Sequence, residues 1–179
     1  MNPIRFSLRP FHAEGEGAGI SITGAIARRA GILSVFFALR GDLRALAIPA
    51  AASSPVRKDR LWEETCFELF FGAKGSERYW EFNLSPAGHW NVYRFSDYRE
   101  GMTREPAFAR LPFVVRKGTA ALELRLEVDI GKIVPAGAAF EVGVSAVAKT
   151  LTGKATHWAL AHPGPRPDFH RRDGFALTV

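Results

Sequence analysis

Carboxylate, amide and aromatic side chains alternate with apolar ones along residues 61–95. In a strand, every second side chain lies on the same face, so the alternation predicts one apolar face and one polar-aromatic face. The polar-aromatic set comprises Trp62, Glu64, Glu68, Tyr79, Glu81, Asn83, Asn91 and Tyr93. Carboxylates and amides hydrogen-bond hydroxyl groups, and flat aromatic rings stack against the C–H faces of sugars. The pattern therefore suits a carbohydrate ligand.

A turn over residues 85–89 sets the pairing of the last two strands in this region. Pairing Leu84 with Trp90 matches the apolar residues of both strands and brings Asn83 opposite Asn91. This register assigns Trp80 and Trp90 to the core. A purely structural interpretation stays open, because the outer faces of antiparallel sheets are usually polar and aromatic residues are common in strands.

Two carboxylates on one face also raise the question of glycoside hydrolysis. Glu64 and Glu68 would be about 13 Å apart along a strand, whereas hydrolytic carboxyl pairs need roughly 5–9.5 Å. A cross-strand pair of Glu68 and Glu81 fits that range better. The sequence shows no environment that would raise one carboxyl pKa, and it contains no nucleophile or phosphate-loop motif. We therefore expect a protein that is not an enzyme.

Metal and haem binding are weak alternatives. Met102 is the only internal methionine, and the five histidines have no short ligand spacing. A haem-attachment motif is absent, and one cysteine with dispersed histidines is a poor zinc set. The prediction is that no cofactor and no metal is bound, with haem as a distant third function.

The elements that position these residues are strands. Residues 120–129 show the clearest alternation, and about ten such segments follow one another between Gly- and Pro-containing turns. Helical signal is confined to single turns such as residues 129–134, which Asp129 caps and Pro135 ends. We predict an all-β fold, an antiparallel β-sandwich with little helix, in a single domain over residues 1–179. Its expected core contains Phe67, Leu69, Phe71, Trp80, Phe82, Trp90, Leu122, Leu124, Leu126, Val142 and Val144.

Composition narrows the function classes. The 179 residues contain 24 Lys and Arg against 18 Asp and Glu, and the basic residues are dispersed, so no specific nucleic-acid partner is expected. One cysteine excludes an internal disulfide. Arg5 and Arg9 interrupt any apolar run of signal-peptide length, and no stretch is long enough to cross a membrane. A cytoplasmic protein without membrane contact is therefore predicted.

The runs LWEETCFELFF and YWEFNLSPAGHW, with THWALAHPGPRPDFH and DGFALTV, resemble the DOMON-like and family 9 carbohydrate-binding-module superfamily, in particular a bacterial DOMON-like branch. The resemblance implies a sandwich of immunoglobulin-like or jelly-roll appearance that binds a mono- or oligosaccharide. Trp62, Glu68 and Asn83 match the sugar-binding positions, and Trp158 is the expected second clamping ring. With the outer-face residues, the expected ligand-binding set is Trp62, Glu68, Asn83, Trp158, Glu81 and Tyr93.

Two features leave alternatives open. Where sugar-binding relatives show an Asn-x-x-Arg pattern, residues 143–149 read GVSAVAK, which favours a structural or protein-interaction sandwich that has kept the fold without the ligand. The Pro-rich residues 162–170 could be a rigid cover over the end of the sandwich. They could also form a pocket wall from which Arg166 or His170 faces an anionic or hydroxylated ligand.

Overall fold

A computed structural model describes residues 2–12, 19–134 and 137–179. These residues are nearly all β and contain no α-helix, only four three-residue 3-10 turns. None of the turns has the length or apolar character needed to cross a membrane. The described strands are β1 (Ile4–Ser7), β2 (Arg9–Pro10), β3 (Ile20–Arg29), β4 (Ile32–Gly41), β5 (Cys66–Ala73), β6 (Tyr79–Leu84), β7 (Trp90–Phe95), β8 (Thr103–Arg104), β9 (Phe113–Lys117), β10 (Ala121–Asp129), β11 (Phe140–Lys149), β12 (Ala155–Ala159) and β13 (Leu177–Thr178).

The strands form two antiparallel sheets packed as a sandwich, as the alternation predicts. The back sheet has the order β1-β3-β4-β10-β9. The front sheet has the order β2-β12-β11-β5-β6-β7-β8, and β13 also pairs with β11. The described strands outnumber the expected ten because β2, β8 and β13 are two-residue strands whose pairing depends on distant segments rather than on local alternation.

The register predicted across the turn after β6 is confirmed. Leu84 pairs with Trp90 and Asn83 with Asn91. On the other side of β6, Glu68 of β5 lies opposite Asn83, and Phe70 lies opposite Glu81. The two glutamates are therefore diagonal neighbours on one face, at a backbone separation of roughly 7–8 Å.

The start of β5 differs from the expectation. The strand begins at Cys66, and Leu61–Glu63 forms a 3-10 turn, so Trp62 reaches the outer face from a turn and not by strand alternation. Glu64, expected on the same face, is exposed in the connection between turn and strand. The cap at Asp129 is confirmed, since its side chain accepts a hydrogen bond from the backbone N–H of Gly131. The predicted stop at Pro135 lies outside the described residues.

The main core fills the space between the sheets and contains all eleven residues predicted for it. A second, smaller cluster lies on the opposite face of the front sheet. It comprises Phe70, Tyr79, Tyr93, Phe95 and Phe175, with Trp62 and Phe169 packed against it. The middle of the front sheet is consequently buried on both faces, and every residue of β6 is buried.

Trp80 provides a test of this core assignment. Its ring stacks on Phe71 with a centroid separation of 5.6 Å, and its indole N–H donates to Glu105 at 3.0 Å. We expect Trp80→Ala to lower the free energy of unfolding by about 3–5 kcal/mol, because a large buried ring leaves a cavity. Val114 is 54% exposed on β9, so Val114→Ala should change the free energy of unfolding by less than about 0.5 kcal/mol. Equal losses in urea denaturation would contradict the assignment.

Candidate functional site

A pocket of about 320 Å³ lies on the outer face of the front sheet. Its floor is formed by Glu68 and Phe70 of β5 and by Glu81 of β6. The other lining residues come from β7, β11, β12, the connections around the front sheet and the loop over residues 161–173, which we term the covering loop. They are Trp62, Phe95, Arg99, Met102, Val147, His157, Pro167, Phe169 and His170. The pocket thus combines a sheet floor with a wall built by a distant segment.

The two glutamates of the floor are almost fully buried, with 2% of Glu68 and 4% of Glu81 exposed. Burial in a low-dielectric environment disfavours the ionised form of a carboxyl group. Burial, together with the charge of Glu81, raises the pKa of Glu68 to about 8. Burial also raises the pKa of Glu81 to about 7, against the opposing effects of a hydrogen bond from Asn83 and the charge of Arg99. The pair therefore retains protons near neutral pH.

Each buried glutamate has one hydrogen-bond donor beside it. The Ser145 hydroxyl donates to Oε2 of Glu68 at 3.2 Å, and the side-chain amide of Asn83 donates to Oε1 of Glu81 at 2.6 Å. Oε2 of Glu81 is 3.9 Å from Nε2 of His170. Within the described part of the chain, Oε1 of Glu68 receives no hydrogen bond. The floor thus offers hydrogen-bonding capacity that the protein leaves unused.

The covering loop is attached to the sheet by polar contacts. The Tyr79 hydroxyl shares a hydrogen bond of 2.8 Å with Nδ1 of His170, and it accepts one of 3.1 Å from the backbone N–H of Arg99. The Arg99 guanidinium donates to Asp168 at 2.9 Å, and the Tyr98 hydroxyl also hydrogen-bonds Asp168. Burial lowers the pKa of His170 to about 4, so its imidazole is neutral. Of the two interpretations of this loop, the structure supports a pocket wall; His170 lines it and Arg166 is exposed outside it.

Trp62 is half-buried at the edge of the pocket and packs edge-on against Tyr93, with centroids 5.9 Å apart. Tyr93 is held from behind: its hydroxyl donates to Asp59 at 2.7 Å and accepts from Asn91 at 2.8 Å. The hydrogen bond from Arg104 is the largest of the effects that lower the pKa of Asp59 to about 2, so this anchor is ionised at neutral pH. Tyr93 therefore supports the indole ring and does not itself line the pocket.

The expected ligand-binding residues divide into three groups. Trp62, Glu68 and Glu81 meet in the pocket. Asn83 and Tyr93 are buried directly beside them. The placement expected for Trp158 is wrong: it is 4% exposed and belongs to the main core. Trp158 pairs with Ala146, and Ala146 pairs with Phe67, which faces the core. Trp158 therefore faces the core as well. Because side chains alternate along β12, its neighbour His157 faces the pocket.

Several lining residues were not predicted as ligand-binding. Phe70 shares the face of Glu68 by simple alternation, so the sequence contained its signal. Arg99, His157 and Phe169 had no local signal, since each reaches the pocket from a segment distant in sequence. Met102, considered only as a haem ligand, lies at the pocket edge and is 46% exposed.

Other chemistry has little support in the described residues. No group of three or more His, Cys, Asp and Glu side chains there could hold a metal ion. Cys66 is fully buried on β5, and burial raises the pKa of its thiol well above the usual value. A thiol that stays protonated is a poor nucleophile.

No family model matches the chain, and no curated protein is similar to it in sequence. Solved structures match it in fold. A protein from Bacteroides uniformis assigned as carbohydrate-binding is 16% identical, with a TM-score of 0.74 over 96% of this chain and 84% of that chain. A family 9 carbohydrate-binding module from Caldicellulosiruptor kristjanssonii in complex with cellotriose is 10% identical, with a TM-score of 0.53 over 88% of this chain and 72% of that one.

A structure of a family 9 module from the same organism in complex with glucose is 9% identical, again with a TM-score of 0.53, over 88% of this chain and 74% of that one. At such identities the similarity concerns the fold. The chain therefore has the β-sandwich fold found in carbohydrate-binding modules, whereas the DOMON-like assignment stays a prediction.

The buried glutamates make stability depend on pH. Their folded pKa values exceed the ordinary value of 4.5, so their contribution to stability is complete below that pH and is lost as pH rises through about 7 to 8. His170 titrates below this range. We expect the free energy of unfolding to fall by about 1 kcal/mol between pH 7 and 8, measured by urea denaturation.

The double variant Glu68→Gln/Glu81→Gln should remove this decrease, because neither amide titrates. Glu64→Gln, at an exposed position outside the pocket, is the matched control and should retain it. A decrease that persists in the double variant would show that other groups cause it.

Proposed function

We propose that this chain is a non-catalytic carbohydrate-binding domain that takes a mono- or oligosaccharide in the pocket on the front sheet. The observation that carries the proposal is the placement of an accessible indole, Trp62, beside two buried carboxyls in a sandwich with the fold of carbohydrate-binding modules. An indole face takes the C–H side of a sugar ring, and carboxyl groups hydrogen-bond its hydroxyls.

The pocket dimensions favour one sugar unit or the end of a chain. Its volume of about 320 Å³ lies at the lower end of the range of small-ligand sites, and the covering loop closes one side. Phe169 of that loop supplies a second aromatic wall, the role expected of Trp158. Protonated carboxyls at Glu68 and Glu81 both donate and accept hydrogen bonds, which matches the dual character of a hydroxyl group.

The departure from the Asn-x-x-Arg pattern is compatible with this function. On β11, Ser145 hydrogen-bonds Glu68 and Val147 lines the pocket, so this strand contributes no long polar side chain there. A guanidinium instead enters from Arg99, in the connection after β7. We infer that Arg99, and not a residue of β11, supplies the cationic hydrogen-bonding group in this chain.

The raised pKa values of Glu68 and Glu81 reopen the question of glycoside hydrolysis, because the sequence alone showed no environment that would raise the pKa of a carboxyl group. General acid–base catalysis needs one protonated and one ionised carboxyl, which requires environments that push the two pKa values apart. Here burial raises both pKa values in the same direction. This argument favours binding over catalysis.

Trp62 provides the test. In a thermal-shift screen of mono- and disaccharides, a ligand at 100 times its dissociation constant should add about 2.7 kcal/mol of stability. Trp62→Ala should abolish this shift and cost about 1 kcal/mol of stability, as expected for a half-buried ring at the surface. Phe36→Ala removes a half-buried ring that lies outside the pocket, on the back sheet, and should leave the shift unchanged.

If the sugar stabilises the Trp62→Ala variant as much as the wild-type protein, the sugar binds outside this pocket. If no sugar shifts the wild-type protein at high millimolar concentration, the sandwich is better explained as a protein-interaction domain, the alternative that the sequence left open.

A further inference from the structure

The basic and acidic side chains that line the pocket differ in whether they have a partner of opposite charge. Arg99 is paired with Asp168 in a contact of 2.9 Å. Burial lowers the pKa values of His157 and His170, so both imidazoles are neutral at pH 7. The remaining ionisable groups of the lining are the two buried glutamates. In a chain with a formal charge of +6, the two glutamates are thus the groups of the pocket lining that can become charged near neutral pH without a partner of opposite charge.

Neither glutamate has a cationic partner of its own. Within the described residues, no Lys or Arg lies in ion-pair contact with Glu68 or Glu81, and the single contact is that of Glu81 with the neutral His170 at 3.9 Å. Buried carboxylates are normally paired, because an isolated charge is costly to remove from water. In addition, Oε1 of Glu68 has no hydrogen-bond partner among those residues, although the side chain is 98% buried and lines the cavity.

We propose that this pocket selects sugars that carry a positively charged amino group, which the carboxylates of Glu68 and Glu81 hold between them. The inference rests on the proposed carbohydrate function and names the ligand class within it. An ammonium group is a compact charge with three N–H donors. On binding, it displaces the protons that the two carboxyl groups retain near neutral pH and leaves them as carboxylates. The adjacent Trp62 ring adds a favourable cation–π contact.

Calorimetric titrations with glucosamine, N-acetylglucosamine and glucose at pH 7.0 test the proposal. These probes keep the same ring and change only the group at one carbon. We expect glucosamine to bind at least tenfold more tightly than the other two, because only its amino group carries a charge. Glucosamine affinity should also rise between pH 5.5 and 7.0, by up to tenfold per pH unit for each proton that the carboxyls release. A neutral sugar that uses a protonated carboxyl as donor would show the opposite trend.

The variant Glu68→Gln keeps the shape of the side chain and removes its charge. It should reduce the preference for glucosamine over glucose at least tenfold, while a melting curve reports whether the variant is folded. Glu81→Gln should act in the same direction and serves as the second variant if the first is unstable. Glu64→Gln, exposed and outside the pocket, is the matched control and should leave the preference unchanged.

The outcomes separate the two proposals. If glucose or N-acetylglucosamine binds as tightly as glucosamine, the preference for an amino sugar is wrong and carbohydrate binding stands. If ethanolamine binds as tightly as glucosamine and no neutral sugar binds, the cation site stands and the carbohydrate function is wrong. If none of the four compounds binds, both proposals are overturned.

Discussion

The structure around the pocket depends on one electrostatic constraint, the burial of two carboxyl groups on the outer face of a sheet. Glu68 and Glu81 are diagonal neighbours on β5 and β6, and both are almost inaccessible to water. Burial raises both pKa values, so the two carboxyl groups retain protons near neutral pH. A sheet face that only met water would leave such groups solvated and ionised.

The burial is produced by chain segments that return to this face from far along the sequence. The covering loop is attached through His170 to Tyr79 and through Asp168 to Arg99. Around these polar contacts, Phe70, Phe95 and Phe175 form an aromatic cluster that excludes water from the sheet. The same cluster supports Trp62 through Tyr93, so the wall, the floor and the indole ring belong to one packed unit.

Much of the fold follows from local alternation. The pattern of β10, with Leu122, Leu124 and Leu126 facing the core, requires only the two-residue period of a strand. The pairing of Leu84 with Trp90 was predictable because a slip by one residue would place an amide opposite an apolar ring. Trp62, Glu68 and Glu81 were recognised as one set for the same reason, although Trp62 reaches the set from a 3-10 turn.

The sequence by itself determined the fold class, the core residues and the polar-aromatic face, because each follows from the two-residue alternation of side chains along single strands. Only the tertiary structure decided which of those residues share a pocket. Trp158 lies in the main core and its neighbour His157 lines the pocket, because the pairing of β12 with β11 sets which face each one occupies. The raised carboxyl pKa values likewise depend on how deeply a loop about 90 residues away buries them. Burial of that kind is a property of long-range packing, which no local pattern contains.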